Sequence, residues 1–290
     1  MRKMWLTIAV LSLMVAALGG WVAWLEKKPE PPPPTLADLD PESITQVLIE
    51  VDGKTMEFRR NDHGWQMVRP FQAPADDYHM KQLTELPKTT THASYPLSKE
   101  QLAKFGLNPP EITVTLNQTN FRFGVQNPID FRRYVQVDNG PVQLIDDDIH
   151  YLLTASATTW IDPRLLPPAA SLKGLALPGW TLTLSDKGSW TSTPRTNNKT
   201  LRNLIQEWRN ARAIEVTPMQ GTPPKDVPRI TVQLEKGKIE FVVLQKEPEL
   251  ILLRPDLKLS YHFYGNLGKR LLAPETQEPP PTPNARTSGG

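Results

Sequence analysis

Cysteine is absent from this 290-residue chain, which removes disulfides, thiolate metal sites and a cysteine nucleophile together. Histidine is scarce. His63, His79, His92, His150 and His262 are the only five, and no two stand at a ligand spacing such as i, i+4 on a helix. Each therefore reads as a surface or hydrogen-bonded residue. An excess of one charge is also lacking: 33 Lys and Arg against 31 Asp and Glu leave a net charge of +2, which makes no electrostatic case for nucleic acid. There is no Gly-x-Ser-x-Gly, no phosphate-cradling glycine loop and no metal-binding helix motif. The sequence thus assigns no catalytic, cofactor-binding or metal-ligating residue, and it implies no cofactor.

Proline is abundant instead, at 30 residues, about twice average usage. Many prolines lie in two tails that flank a globular middle. Ahead of the first tail, Met4 to Leu25 carries no charge over 22 residues. As a helix it would be about 33 Å long, enough for a hydrocarbon core of roughly 30 Å. Trp5 sits at one end and Trp21 and Trp24 at the other, as interfacial aromatics do. Arg2 and Lys3 precede the run and Glu26, Lys27 and Lys28 follow it, a small bias toward a cytoplasmic N-terminus. A cleaved signal peptide, with Ala17-Leu18-Gly19 as its site, is the rival reading. The apolar run continues through Leu25, beyond an ordinary signal core, and favours the uncleaved anchor. Lys27 to Pro34 (KKPEPPPP) then reads as a stiff polyproline spacer of roughly 20–25 Å. The C-terminal stretch from Pro274 is nearly devoid of apolar residues and reads as disordered.

The middle repeats itself. PPEITVTLNQTNFRFGV and VPRITVQLEKGKIEFVV each hold a proline, Ile-Thr-Val-x-Leu, a polar turn and a second alternating strand. Ile112 and Ile230 are 118 residues apart, as are Phe123 and Phe241, and Trp65 and Trp190 are 125 apart. A period of this length points to a duplicated domain rather than a solenoid. In the first copy Asp52-Gly53 predicts a hairpin turn. Asp76 or Asp77 starts a helix running to about Leu86. Ser98 and Gln101 form a capping box and Gly106 ends the helix after it. In the second copy Leu201, Leu204, Ile205 and Trp208 make one apolar helical stripe behind Asn197 or Asn198. The expected fold is α+β: an N-terminal transmembrane helix and two tandem repeats, each an antiparallel β-meander covered by an amphipathic helix. The expected divisions are an anchor at 1–25, a linker at 26–43, repeats at 44–165 and 166–273, and a disordered tail at 274–290.

Three clusters invite chemical readings. Asp146 to Asp148, with His150 close by, could take a cation or serve a hydrolase. A capping run at the start of a short helix is the more ordinary reading. Arg122, Arg132 and Arg133 beside Phe131 and Tyr134 read as a solvated sheet face before they read as a basic binding strip. Trp65 and Trp190 read as core anchors before ligand platforms.

GWQMVRPFQAPAD, then LAKFGLNPPEITVTL, then FRFGV resemble the bacterial domain of unknown function 4340. Gly106, Leu107 and Pro110 match its Gly-Leu-x-x-Pro element, and Tyr134 and Val135 its Tyr-Val strand. The resemblance covers about residues 44 to 165. The second copy lacks the Phe-Gly-Leu element and has Val242 where the first has Gly124. The resemblance implies a membrane-anchored envelope protein, in some cases beside ABC-type transporter subunits resembling those of gliding machinery. It implies no established activity. The resulting expectation is a single-pass bacterial inner-membrane protein held through residues 4–25, with a periplasmic body and an integral membrane protein as partner. Its role would be that of a non-catalytic accessory or scaffold subunit, and a binding module for a glycan, lipid or peptide is the alternative.

Overall fold

Alternation of apolar and polar residues makes two antiparallel sheets in a computed structural model. The model describes residues 2–26 and 33–274, without the side chains at 2–4, 6–8 and 22–26. The chain opens with helix α1 (Arg2–Glu26), which contains the expected anchor. Several side chains of that run lie outside the described residues. Among the described residues no helix is long and apolar enough to cross a membrane. Residues 27–32 of the linker and nearly all of the C-terminal tail lie outside the described residues as well.

The first sheet is built from β1 (Gln46–Val51), β2 (Lys54–Asn61), β3 (Gly64–Arg69), β4 (Ala73–Pro74), β5 (Thr91–Tyr95), β6 (Ile112–Leu116), β7 (Thr119–Gln126), β8 (Arg133–Val137) and β9 (Val142–Ile145). Helix α2 (Asp77–Thr84) separates β4 from β5, α3 (Lys99–Leu102) separates β5 from β6, and α4 (His150–Leu153) follows β9. The spatial order is β4-β3-β2-β1-β6-β7-β8-β9-β5. This is not a simple meander. After β4 the chain crosses through α2 to the opposite edge, lays down β5 beside β9, and returns to the middle to set β6 against β1.

The second sheet holds β10 (Leu172–Leu177), β11 (Trp180–Leu184), β12 (Trp190–Thr193), β13 (Glu215–Pro218), β14 (Arg229–Leu234), β15 (Lys238–Gln245), β16 (Glu249–Arg254) and β17 (Leu259–Tyr264). Helix α5 (Asn198–Asn210) lies between β12 and β13, and α6 (Asn266–Leu272) closes the chain. The order is β12-β11-β10-β14-β15-β16-β17-β13, the sequence of connections seen in the first sheet from β3 onward. Ile112 and Ile230 lie in β6 and β14, and Phe123 and Phe241 in β7 and β15. The stripe on α5 buries Leu201, Leu204, Ile205 and Trp208. The Trp208 ring stands 5.6 Å from that of Phe241, and its Nε1 donates to the Leu271 carbonyl at 2.9 Å.

The local signals work as their chemistry requires. Asp52 and Gly53 both take positive φ, at 51° and 68°. Asp76 caps α2 by accepting from the N–H groups of Tyr78 and His79. Gln101 accepts from the Ser98 N–H at 2.9 Å, and Gly106 is left-handed at φ 67°. The one conspicuous difference between the halves also has a local cause. A Cβ on Gly124 would stand 2.0 Å from the Phe105 carbonyl oxygen and 3.0 Å from Leu107. The Phe-Gly-Leu element packs its backbone onto β7, so only glycine fits there. The second half lacks that element, and fully buried Val242 occupies the corresponding place.

The end of the expected linker is part of the body. Thr91 N–H donates to the Pro34 carbonyl, Leu36 N–H to Thr89 and Ala37 N–H to Pro87, each at 2.9 Å, and Leu36 is buried. A single apolar core runs from Leu36 to Leu271 through both sheets. We expect Gly124→Ala to destabilise the protein by about 1–3 kcal/mol through overpacking, read as a lower urea midpoint. A midpoint unchanged from wild type would contradict the close approach of the Phe105 carbonyl.

Candidate functional site

The two sheets meet along residues 160–166, where the chain leaves a 3-10 helix at Ala157–Trp160. On one side, Asp76 N–H donates to the Trp160 carbonyl (2.8 Å) and Asp162 N–H to the Pro74 carbonyl (2.9 Å). On the other, Ala213 N–H donates to Pro163 (2.8 Å) and Leu165 N–H to Ala211 (3.3 Å). The segment thus bridges both halves, with an isolated antiparallel bridge from Ile161 to Ala75 on one side and from Arg164 to Arg212 on the other. Trp160, Ile161, Leu165 and Leu166 are buried along it, and the Trp160 ring packs 5.4 Å from that of Phe58.

Ionic groups line the same seam. Asp162 accepts from Arg164 through the backbone N–H at 3.0 Å and through Nε at 2.9 Å. Arg164 reaches on to Asp77 at 2.9 Å, and Arg212 of the second half donates to Asp76 of the first at 3.1 Å. Burial pushes the Asp162 carboxyl above the usual range, with Arg164 opposing that rise. These pairs leave little net charge on the seam.

A cleft of about 650 Å³ opens on one side of it. Its first wall is the β2–β3 turn, with Asn61, Asp62, His63, Trp65 and Gln66; its second is Arg254, Leu257 and Tyr261 of the other sheet, with Leu165 to Pro168 as the floor. Burial raises the Tyr261 hydroxyl to a pKa of about 12, so it stays a neutral hydrogen-bonding group. Arg254 is held by Asp256 at 2.9 and 2.6 Å. The cleft therefore combines aromatic and apolar surface with charged groups, among them Asp62 and the linked Asp77, Asp162 and Arg164.

The sequence-derived clusters fall elsewhere. Asp146 to Asp148 do not cap α4, whose N-cap is Ile149 with no side-chain capping bond. Instead, Asp147 accepts two bonds from Arg133, at 2.7 and 2.9 Å. Asp146 accepts from His92 at 3.0 Å and from Arg132 at 3.1 Å. Those bonds, the His92 bond foremost, hold the Asp146 carboxyl below its ordinary value. The cation reading and the basic-strip reading fail for one reason: the acidic run and the arginines neutralise each other. Arg122 is likewise engaged, with the Asp138 carbonyl and Asn139. Among the described residues no group of His, Asp and Glu could hold a metal. Trp65 is buried and Trp190 half-buried against the core, and Trp65 also lines the cleft.

One arrangement has the order hydroxyl, imidazole, carboxylate. Thr217 Oγ1 lies 2.9 Å from His262 Nε2, and His262 Nδ1 lies 3.5 Å from Glu249. The three residues stand on adjacent strands β13, β17 and β16 and do not line the junctional cleft. They read as a cross-strand polar ladder.

A profile of the family described as Domain of unknown function (DUF4340) matches residues 65–228. The chain belongs to this family. The DUF4340 match starts at Trp65 in β3 and ends just before β14, so it crosses the seam and takes in parts of both sheets. It starts later than the resemblance at residues 44–165 and ends further along the chain. No curated protein and no solved structure gives a match. None of the seam residues Asp162, Arg164 and Arg212 was singled out from sequence; the signal was the dense run Trp160-Ile161-Asp162-Pro163-Arg164. We expect Asp76→Ala to cost about 1–2 kcal/mol, chiefly through loss of the α2 cap. Asp76→Asn retains an accepting oxygen and should cost less in the same urea titration. Equal losses would instead place the pair with Arg212 first.

Proposed function

We propose that this protein is a non-catalytic accessory or scaffold subunit of a bacterial envelope complex. In this reading α1 anchors it in the inner membrane, its N-terminus is cytoplasmic and the two-sheet body stands in the periplasm. The observation that carries the proposal is the docking of residues 34–37 onto the first sheet at Pro87, Thr89 and Thr91. Docking there leaves only residues 27–32 between α1 and the body, which keeps the body near the membrane that would hold α1. The uncharged run from Met4 to Leu25 supports the anchor. Ala16, Ala17, Gly19 and Gly20 leave α1 small side chains where a partner helix can approach closely. No role with nucleic acid is proposed.

We also infer that the two halves are tandem copies of one unit. Their shared strand order supports this, as do matched tryptophans in β3 and β12 and matched Ile-Thr-Val strands in β6 and β14. A second reading, a periplasmic binding module, is favoured by the cleft at the junction, a common location for ligand sites.

The test is affinity purification of the full chain from gently solubilised membranes, beside a chain starting at Pro33. That start preserves the Pro34 carbonyl bonded to Thr91. Co-purification of an integral membrane protein with the full chain, weakened in the shorter one, is the expected outcome. A full chain recovered alone, with a shorter chain that is monomeric and binds a glycan, lipid or peptide, would favour the second reading.

A further inference from the structure

The loop between β7 and β8 reverses the usual arrangement of a surface loop. It is tightly bonded within itself. Asn127 N–H donates to the Arg132 carbonyl at 2.7 Å and Phe131 N–H to the Asn127 carbonyl at 2.9 Å. Gln126 Nε2 donates to the Phe131 carbonyl at 2.8 Å, and Ile129 N–H to Asn127 Oδ1 at 3.1 Å. Its charges are paired inward, Arg132 with Asp130 and Asp146, and Arg133 with Asp147. Its apolar side chains point out: Ile129 is 87% exposed and Phe131 68%. Phe131 also holds φ at 59°, a left-handed conformation that is strained for a bulky residue and that clusters at functional sites.

The position of the loop says what it meets. Arg133 pairs with Ile145, and Ile145 with Thr91. The loop and the start of β5 therefore share one end of the first sheet. Thr91 N–H donates to the Pro34 carbonyl, so the chain coming from α1 joins the body at that same end. Only residues 27–32 separate Glu26 from Pro33, a reach of at most about 25 Å. With α1 in a bilayer, this end faces the lipid surface.

We propose that Ile129 and Phe131 form an apolar wedge that sits in the interface of the membrane holding α1, a second attachment that sets the tilt of the body. The inference rests on the anchoring reading of α1. Exposed apolar side chains on a rigid support suit the boundary between headgroups and acyl chains. Because the loop presents no unpaired charge, insertion needs no anionic lipid.

A cysteine-free chain makes the test direct. Single-cysteine variants of the full chain, Ile129→Cys, Gln118→Cys and Leu13→Cys, are spin-labelled and placed in phosphatidylcholine nanodiscs. Gln118 is an exposed turn residue at the other end of β7 and Leu13 lies in α1. Relaxation by oxygen is then compared with relaxation by a water-soluble nickel chelate. The label at 129 is expected to favour oxygen, as the label at 13 does, and the label at 118 to favour nickel. A nickel-favouring label at 129, with an oxygen-favouring one at 13, would overturn the wedge and leave the anchor standing. A label at 129 shielded from both reagents would mean that protein covers the loop, and would also overturn it. A nickel-favouring label at 13 would remove the anchor and the wedge together.

Discussion

The rest of this structure depends on a bridging segment that belongs to neither sheet. Residues 160–165 hydrogen-bond to Pro74 and Asp76 on one side and to Ala211 and Ala213 on the other. Those four bonds contribute roughly 0.5–1.5 kcal/mol each. The side chains of Trp160, Ile161, Leu165 and Leu166 contribute more, at about 1.5–3 kcal/mol for each fully buried apolar group. Burial thus holds the halves together, and the hydrogen bonds set how they are registered. The pair between Asp76 and Arg212 adds little, because the Arg212 side chain is 52% exposed. The junctional cleft and the continuous core both follow from this seam.

Packing at one glycine shows how two sheets with the same connections come to differ. In the first half the Phe-Gly-Leu element lays a carbonyl onto β7, and Gly124 is the only residue type that leaves room for it. In the second half the element is missing and Val242 is buried in its place. The element and the glycine go together, and the first half holds a small satellite core around Leu102, Leu107 and Val142.

Signals within a few residues of each other were legible in the sequence. The turn at Asp52-Gly53, the cap at Asp76, the box at Ser98 and Gln101 and the apolar stripe of α5 all read correctly, because each rests on local sterics or periodicity. Strands β5, β10 and β13 were not legible. Thr91–Tyr95 and Glu215–Pro218 are short, polar edge strands whose paired residues in β9 and β17 lie 41 or more positions away in sequence. Nothing local announces such pairing. The acidic run at Asp146 to Asp148 was misread for the same reason. Its partners, Arg132, Arg133 and His92, are brought beside it by strand pairing, so sequence proximity to α4 pointed to a cap instead. The seam was hidden most completely, since its chemistry consists of backbone groups and buried side chains with no motif.

A scaffold must hold its two halves in one relative position, and a direct distance measurement asks whether this one does. Spin labels at Gln118→Cys and Lys236→Cys would sit on exposed hairpin turns of the first and second sheets, in a chain with no other cysteine. Double electron–electron resonance on the full chain should give one narrow distance distribution, matching the separation fixed by the seam. A broad or multiple distribution would mean that the sheets move independently, and would contradict the account of a single body welded by residues 160–166.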